Sequence, residues 1–592
     1  MPPLPAAWRL WLPGIILAAG LWVPPEIHPA SRVAIALLAA GLAVALAVEA
    51  WSRPAAGAAG APGSPWTHYL QAPTPENLRG AVAIAGGLFA SASLSLHPYA
   101  SLHLLATLAG ACAFFLGCRP AAAARRAWLG WILFVSLGVA LWALWQAGGG
   151  MQATLEAARQ AGIELSELAR ARLTSGRPFG TLLLPAALGG LMAMATPVAA
   201  GMAVGANGWR RAACAAAAAL FLFVLGLTRS YGAVAAASLA ALWAAGRLSP
   251  RRAALLRGAV ALAALAALAL FARMRLADTG QELFERRGPV SQRLLNCQTA
   301  LRIVARYPIL GAGPGAYASA FVGSRQDGEH DTRYAHNTPL QAAAEAGIWI
   351  LLPLGVALIR LRPRLRRARS GTPEEAGAAA GLVAFLLHNL VDFTAYLPST
   401  LFVGLGLAAA LPRAAHAAGA GIGDAPAAHS GGADGGAGPA VRRVLLGGLA
   451  LACLLGVGWT SRYATGENLR EEAQAAARAG EPRREIEALY NAAVGADPGR
   501  AALRLERAGF LLEEGTARAE EALVDAGLAA QADAGLAAAH LMLSLAWQRK
   551  QDWTEAYLEA EQAVSIHPRD EGARLWLDRL EASVAPAPEV ER

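Results

Sequence analysis

Apolar runs of about twenty residues recur along this chain between short polar segments, and no other feature narrows the possible folds as far. As helices, such runs cross the roughly 30 Å hydrocarbon core of a bilayer. Their limits fall near 8–24, 32–50, 79–97, 101–117, 127–147, 179–203, 211–228, 231–247, 255–275, 338–360, 376–393, 398–413 and 443–460, about thirteen spans. Of the 592 residues 55% are hydrophobic and only 16% charged, too little charge for a soluble chain of this size. The expected fold class is all-α, a polytopic transmembrane helical bundle.

The net charge of +9 is carried by arginine, Lys550 being the sole lysine. The arginines gather in short loops between apolar runs: Arg53; Arg119, Arg125 and Arg126; Arg210 and Arg211; Arg247, Arg251 and Arg252; Arg360 to Arg369; Arg413, Arg442 and Arg443. With the N-terminus inside, all these loops fall on the cytoplasmic side, in keeping with the positive-inside rule. The longer loops 148–178 and 276–337, and everything after 460, then lie outside. No nucleic-acid motif accompanies the basic charge. Cys112, Cys118, Cys214 and Cys453 fall in or beside apolar runs and Cys297 in a loop, so neither a disulfide framework nor metal-ligand spacing is visible. Residues 8–23 lack a small-residue cleavage site and another apolar run follows at once, which predicts an uncleaved first helix. Residues 414–441, rich in Ala and Gly and containing His416 and His429, read as a flexible cytoplasmic linker.

From about 466 to 585 the composition becomes charged, Ala-rich and helix-forming. Asp497-Pro498 and His567-Pro568 are 70 residues apart, close to two tetratricopeptide periods of about 34. The stretch Ala539 to Ala546, followed by Trp553, Ala556, Tyr557, Ala560, Ala563 and Pro568, resembles one such repeat. Two domains are expected: 1–460 in the membrane, and 461–592 as tetratricopeptide-like helical pairs with a concave surface for partners. A plain helical cap is the alternative.

Candidate chemistry concentrates between 277 and 347. Arg293, Arg302 and Arg306 occupy a predicted helix stopped by Pro308, with Arg302 and Arg306 on one face and Arg293 nearly opposite. Gly311 to Gly315 follow no strand and precede no Lys-Ser/Thr, so they read as a tight turn rather than a nucleotide loop. His336 stands just before an apolar run, beside Asn337. A neutral imidazole there can take a proton from a hydroxyl near working pH, although a lone histidine is more often structural. Glu345 lies about two turns into the helix that follows, where a carboxylate must face water or pair with an arginine or a backbone donor. Arg177 and Arg229 sit at outer ends of spans, where snorkelling to headgroups competes with ligand binding. Arginine suits phosphate because its planar fork stays charged and donates two hydrogen bonds. His388 and Asp392 are four apart and would share a helix face, as a structural pair or a catalytic one.

Taken in order, Arg177-Pro178-Phe179-Gly180-Thr181, Thr228-Arg229-Ser230, Arg293 with Tyr307-Pro308-Ile309-Leu310-Gly311-Ala312-Gly313, Ala335-His336-Asn337 with Leu340-Gln341, Glu345-Ala346-Gly347 and His388-Asn389-Leu390-Val391-Asp392-Phe393 resemble the O-antigen ligase and polysaccharide polymerase family of bacterial membrane glycosyltransferases. The resemblance implies transfer of a glycan from a polyprenyl diphosphate carrier to an acceptor hydroxyl at the periplasmic face of the inner membrane, with no cofactor, nucleotide sugar or metal. It would make His336 the acceptor-activating residue and put Arg177 and Arg293 near the diphosphate. Asn337, Glu345, His388 and Asp392 would support them. The chain departs from the family pattern at Leu182 to Ala186, at Tyr231 and at Ile350, and the second departure leaves open whether Arg229 replaces a displaced arginine. Implied partners are the lipid-linked donor, a glycan or lipid acceptor, the bilayer and a protein bound by the repeats, with no nucleic acid. Ligase, polymerase and protein glycosyltransferase share these motifs. Outside the enzyme class, a lipid-linked glycan flippase would favour paired internal repeats with charges at mid-membrane, and a scaffold would leave His336 dispensable.

Overall fold

The computed structural model describes residues 8–23, 29–52, 75–118, 124–163, 165, 167–182, 184–246, 289–325, 332–412 and 439–584. Every regular element among them is a helix. Six helices are long and apolar enough to cross a membrane: Pro29–Val48, Pro98–Gly117, Arg125–Gln160, Pro185–Val204, Gly208–Leu227 and Arg443–Ala479. The shorter apolar helices Leu12–Trp22, Gly80–Ser93, Tyr231–Ala245 and Pro398–Ala410 coincide with further expected spans. The protein is an all-α polytopic membrane protein. The expected span 255–275 and residues 414–438 of the linker lie outside the described residues.

One expectation needs correction. The run 338–360 is not one helix: it breaks at Gly347, whose φ is +94°, into Thr338–Ala346 and Leu351–Ser370, joined by a single 3-10 turn. The cause is a backbone crossing, because a Cβ on Gly347 would stand 1.9 Å from the Ile309 carbonyl oxygen. Further along, the polarity change near 460 does not interrupt the chain. A continuous helix runs Pro439–Ala479, since no proline stands between 460 and 479 and polarity alone does not break helical hydrogen bonding.

The chain divides into two compact units, one comprising Met1–Ile84, Thr107–Gln281 and Leu352–Leu454, the other Ala85–Ala106, Glu282–Leu351 and Leu455–Arg592. In the first, helix Pro185–Val204 is central, with Leu188 and Met192 to Ala195 wholly buried. Helix Pro373–His388 crosses it through Gly377 and Gly381, one helical turn apart. A Cβ on either would come within 2.5 Å or 2.6 Å of the Pro197 and Met194 carbonyl oxygens. Small residues at this spacing let membrane helices approach to backbone contact, which replaces the hydrophobic drive that lipid removes. The N-terminus of Pro373–His388 carries a Thr372/Glu375 capping box, and Glu375 and Glu374 pair with Arg125 and Arg126.

In the second unit, helix Pro289–Arg306, the short helix Tyr317–Val322 and helix Thr338–Ala346 surround a core of Ala300, Ile303, Tyr317, Phe321, Ala335 and Ala344. Six later helices follow: Arg483–Ala496, Ala501–Leu512, Ala519–Ala532, Ala537–Arg549, Trp553–Ile566 and Glu571–Val584. Each packs on the next, and every second turn falls on the same edge. That edge docks on the rest of the unit. Tyr99 donates its hydroxyl to Asp497, Ala534 N–H donates to Leu96 O at 3.0 Å, and Arg569 Nη1 donates to Arg325 O at 2.6 Å.

His97 occupies the middle contact, with Nδ1 3.3 Å from Asp533 Oδ2 and 3.4 Å from Ser319 Oγ. Burial pushes its pKa below the ordinary histidine value, and the Asp533 carboxylate only partly opposes this. Because the folded pKa is depressed, the unfolded chain takes up the proton first. Stability should therefore fall as pH drops through about 6.5 toward the lowered folded value. Melting temperatures between pH 7.5 and 5 should show this decline in the native protein and a shallower one in His97→Asn.

Candidate active site

The residues singled out in the sequence fall into two clusters, one in each unit. The first is built around His336. Helix Thr338–Ala346 starts at Asn337, whose extended backbone and side-chain oxygen, accepting from Leu340 N–H at 3.0 Å, form an N-cap. On the other side, Ala335 N–H donates to Gln341 Oε1 at 3.0 Å. Between these anchored neighbours His336 is forced to a φ of +53°. Three non-glycine residues among those described have positive φ: His336, Arg229 and Gln551. The left-handed region costs a side-chain-bearing residue about 1–2 kcal/mol, so it persists only where the surroundings over-determine it.

Glu345 meets the requirement foreseen for a buried carboxylate through a backbone donor. Its Oε2 accepts from Gly315 N–H at 2.9 Å and its Oε1 from Gln341 Nε2 at 3.0 Å. The Gly311 to Gly315 stretch is the tight turn that permits this, with Gly311, Gly313 and Gly315 all at positive φ. Arg293 is half-buried on helix Pro289–Arg306, one turn before Cys297, whose thiol approaches the Ala335 carbonyl at 3.9 Å. The helix that carries Arg293 thus packs, through Cys297, against the residue preceding His336. Arg302 and Arg306 are exposed, and Arg306 stacks on Tyr307 with its guanidinium 5.5 Å from the ring centre.

The second cluster joins Arg177 and Arg229. Gln146 fixes the turn after Arg177, accepting from Phe179 N–H at 3.1 Å and Gly180 N–H at 2.8 Å and donating to Gly180 O at 2.8 Å. Arg177 Nε then donates to the Thr228 carbonyl at 2.9 Å, which binds its guanidinium to the peptide that enters Arg229. Arg229, exposed and at a φ of +51°, stands in the turn between helices Gly208–Leu227 and Tyr231–Ala245.

His388 and Asp392 lie among the helices of this unit, each 1% exposed. They do not share a helix face as the spacing suggested. The helix ends at His388, Asp392 belongs to the turn beyond, and the carboxylate Oδ2 still comes within 3.8 Å of His388 Nε2. His388 Nδ1 faces Thr394 Oγ1 at 3.4 Å, and a Cβ on Gly190 would come within 2.8 Å of the ring. Such close packing suits a structural pair.

Gln146 and Gln341 are the residues that sequence reading passed over. Neither carries charge, and each acts by satisfying buried backbone groups distant along the chain or across a turn. Gln341 appeared only as part of a motif. Gln146 had no signal beyond being a lone amide at the end of an apolar run. Among the described residues no group of three or more His, Cys, Asp or Glu converges as a metal site.

No curated protein matches the chain. Residues 214–354 match the family model described as O-antigen ligase, a segment containing Arg229, Arg293, His336, Asn337, Gln341 and Glu345. Over that segment, about a quarter of its length, the chain is similar to the O-antigen ligase family of glycosyl-transferring enzymes.

Proposed function

We propose that the protein transfers a glycan from a polyprenyl diphosphate carrier to an acceptor hydroxyl at the periplasmic face of the bacterial inner membrane. His336 is the general base. Its imidazole takes the acceptor proton as the hydroxyl oxygen forms a bond to the anomeric carbon of the donor. The bond from that carbon to the carrier phosphate breaks, and the diphosphate leaves with the electron pair. Arg177, Arg229 and Arg293 offset the charge that develops on the leaving diphosphate, where a planar, permanently charged donor fork is most useful. Asn337 and Glu345 hold the His336 turn, and His388 with Asp392 supports the packing of the first unit.

The observation that carries this reading is the conformation of His336: a left-handed backbone held by anchored residues on both sides, inside the matched family segment. A merely packed histidine gains nothing from such strain. We further propose that the helical pairs after 479 are tetratricopeptide-like and bind a partner on their concave side.

Purified protein given a lipid-linked glycan and an acceptor should release polyprenyl diphosphate only when both are present. Arg177→Lys and Arg293→Lys retain the charge and lose the fork, so transfer should fall at least tenfold in folded protein. Undiminished turnover and donor affinity in both variants would return these arginines to a headgroup-anchoring role.

A further inference from the structure

We infer that Gln341 is a positioning residue for His336, and that it works by holding a hydrogen-bond chain of fixed polarity. The inference rests on the reading of His336 as the base. The chain has four members. Ala335 N–H donates to Gln341 Oε1 (3.0 Å), Gln341 Nε2 donates to Glu345 Oε1 (3.0 Å), and Gly315 N–H donates to Glu345 Oε2 (2.9 Å). Ala335, Gln341 and Glu345 are respectively 0%, 1% and 2% exposed, so water does not compete for these groups.

Both ends of the chain are backbone N–H groups, which can only donate. The two side chains between them must therefore supply three acceptor sites and one donor. An amide and a carboxylate do this; two amides or two ionised carboxylates do not. The orientation of the Gln341 amide follows from its partners: oxygen toward Ala335 N–H, nitrogen toward the carboxylate. What the chain fixes is the peptide immediately before His336, while Asn337 fixes the one after it. Gln341 is thus tied to the base through one backbone bond and to the Gly311–Gly315 turn through Glu345. Losing the Ala335 tether releases one side of a strained turn, and the φ of +53° at His336 is the quantity that relaxes.

This logic makes an exchange test possible. Gln341→Glu places two carboxylates together with no donor between them once both are ionised, so its rate is read at alkaline pH, where the pair cannot share a proton. Glu345→Gln places two amides together, so that one N–H group faces another N–H. The double variant Gln341→Glu/Glu345→Gln restores every bond with the carboxylate and amide in exchanged positions. It also keeps the buried charge at one.

The experiment measures kcat and KM for the lipid-linked donor in the full-length protein, with melting temperature in the same detergent. Expected are a tenfold to hundredfold fall in kcat for each single variant, the size of effect a displaced catalytic group produces. KM should stay within about twofold, and kcat should return to within about threefold of wild type in the double variant. Gln341→Met, which keeps the length and loses the polar groups, should resemble the single variants if either of them fails to fold. Wild-type kcat in folded Gln341→Glu or Gln341→Met would overturn the proposal. So would a double variant that melts like wild type and is as slow as the singles. His336→Ala run alongside separates the two claims. If it is inactive while the Gln341 variants are not, only the positioning role falls. If it is fully active, the base role falls first.

Discussion

His336→Ala should lower the single-turnover rate of glycan transfer by roughly 10² to 10⁴ fold, the range over which a general base contributes, while binding of the lipid-linked donor survives. The backbone conformation provides a companion variant that separates chemistry from folding. Alanine at a φ of +53° is strained much as histidine is, whereas glycine is not. His336→Gly should therefore melt at or above the temperature of His336→Ala, by the equivalent of about 1 kcal/mol, and be just as slow. A folded His336→Ala protein that transfers glycan at close to the normal rate would rule out the base role and revive the flippase and scaffold readings. Equal melting of the Ala and Gly variants would instead count against strain at this turn.

The largest effect on stability is expected at Gly347. Adding one methyl group there sets a Cβ 1.9 Å from a carbonyl oxygen of the Ile309 peptide, at a φ of +94° that disfavours any side chain. Neither strand of the crossing can yield easily, because Ile348 N–H is bonded to Pro308 O at 3.0 Å and Ala312 N–H to Ala344 O at 2.9 Å. Overpacking at about 1–3 kcal/mol and the left-handed penalty at about 1–2 kcal/mol together predict that Gly347→Ala loses several kcal/mol. Gly355 is the internal control. It lies in helix Leu351–Ser370, where an added Cβ would meet nothing within 4 Å, so Gly355→Ala should be neutral or stabilising by up to about 1 kcal/mol. Comparable melting of the two variants would show that the crossing is looser than its distances imply.

Those two positions also mark what could and could not be read along the chain. Hydropathy located the six helices long and apolar enough to cross a membrane and four shorter ones, because bilayer thickness imposes a length on each, and Pro308 ended the predicted helix close to where Pro289–Arg306 stops. Gly347 stood in a quoted motif, but its break of the helix was not foreseen, since a single glycine is tolerated in a helix and what breaks this one is a peptide from 38 residues earlier. For Glu345 the cost of burying a carboxylate narrowed the partner to water, an arginine or a backbone donor. Its actual donor, Gly315, is fixed only by the fold. For His388 and Asp392, helical spacing gave the right neighbours for the wrong reason, the helix having ended before the carboxylate. The arginines could be named as phosphate ligands but not ordered among themselves, and the tether from Arg177 to the Thr228 carbonyl has no counterpart in sequence spacing.

The turns beginning at Asp497, Asp533 and His567 touch the rest of their unit at three successive points, 36 and then 34 residues apart. A free solenoid can lose or gain one hairpin and simply become shorter or longer. This array is phased like a key. Excising one period would carry His567 to the place opposite His97 where Asp533 now stands, would put Pro568, which has no N–H, where Ala534 bonds the Leu96 carbonyl, and would leave Arg325 facing whatever follows. Changes of length in this part of the chain are therefore confined to the side beyond residue 584, or to the opposite turns at 513–518 and 550–552, where an insertion leaves the phase intact.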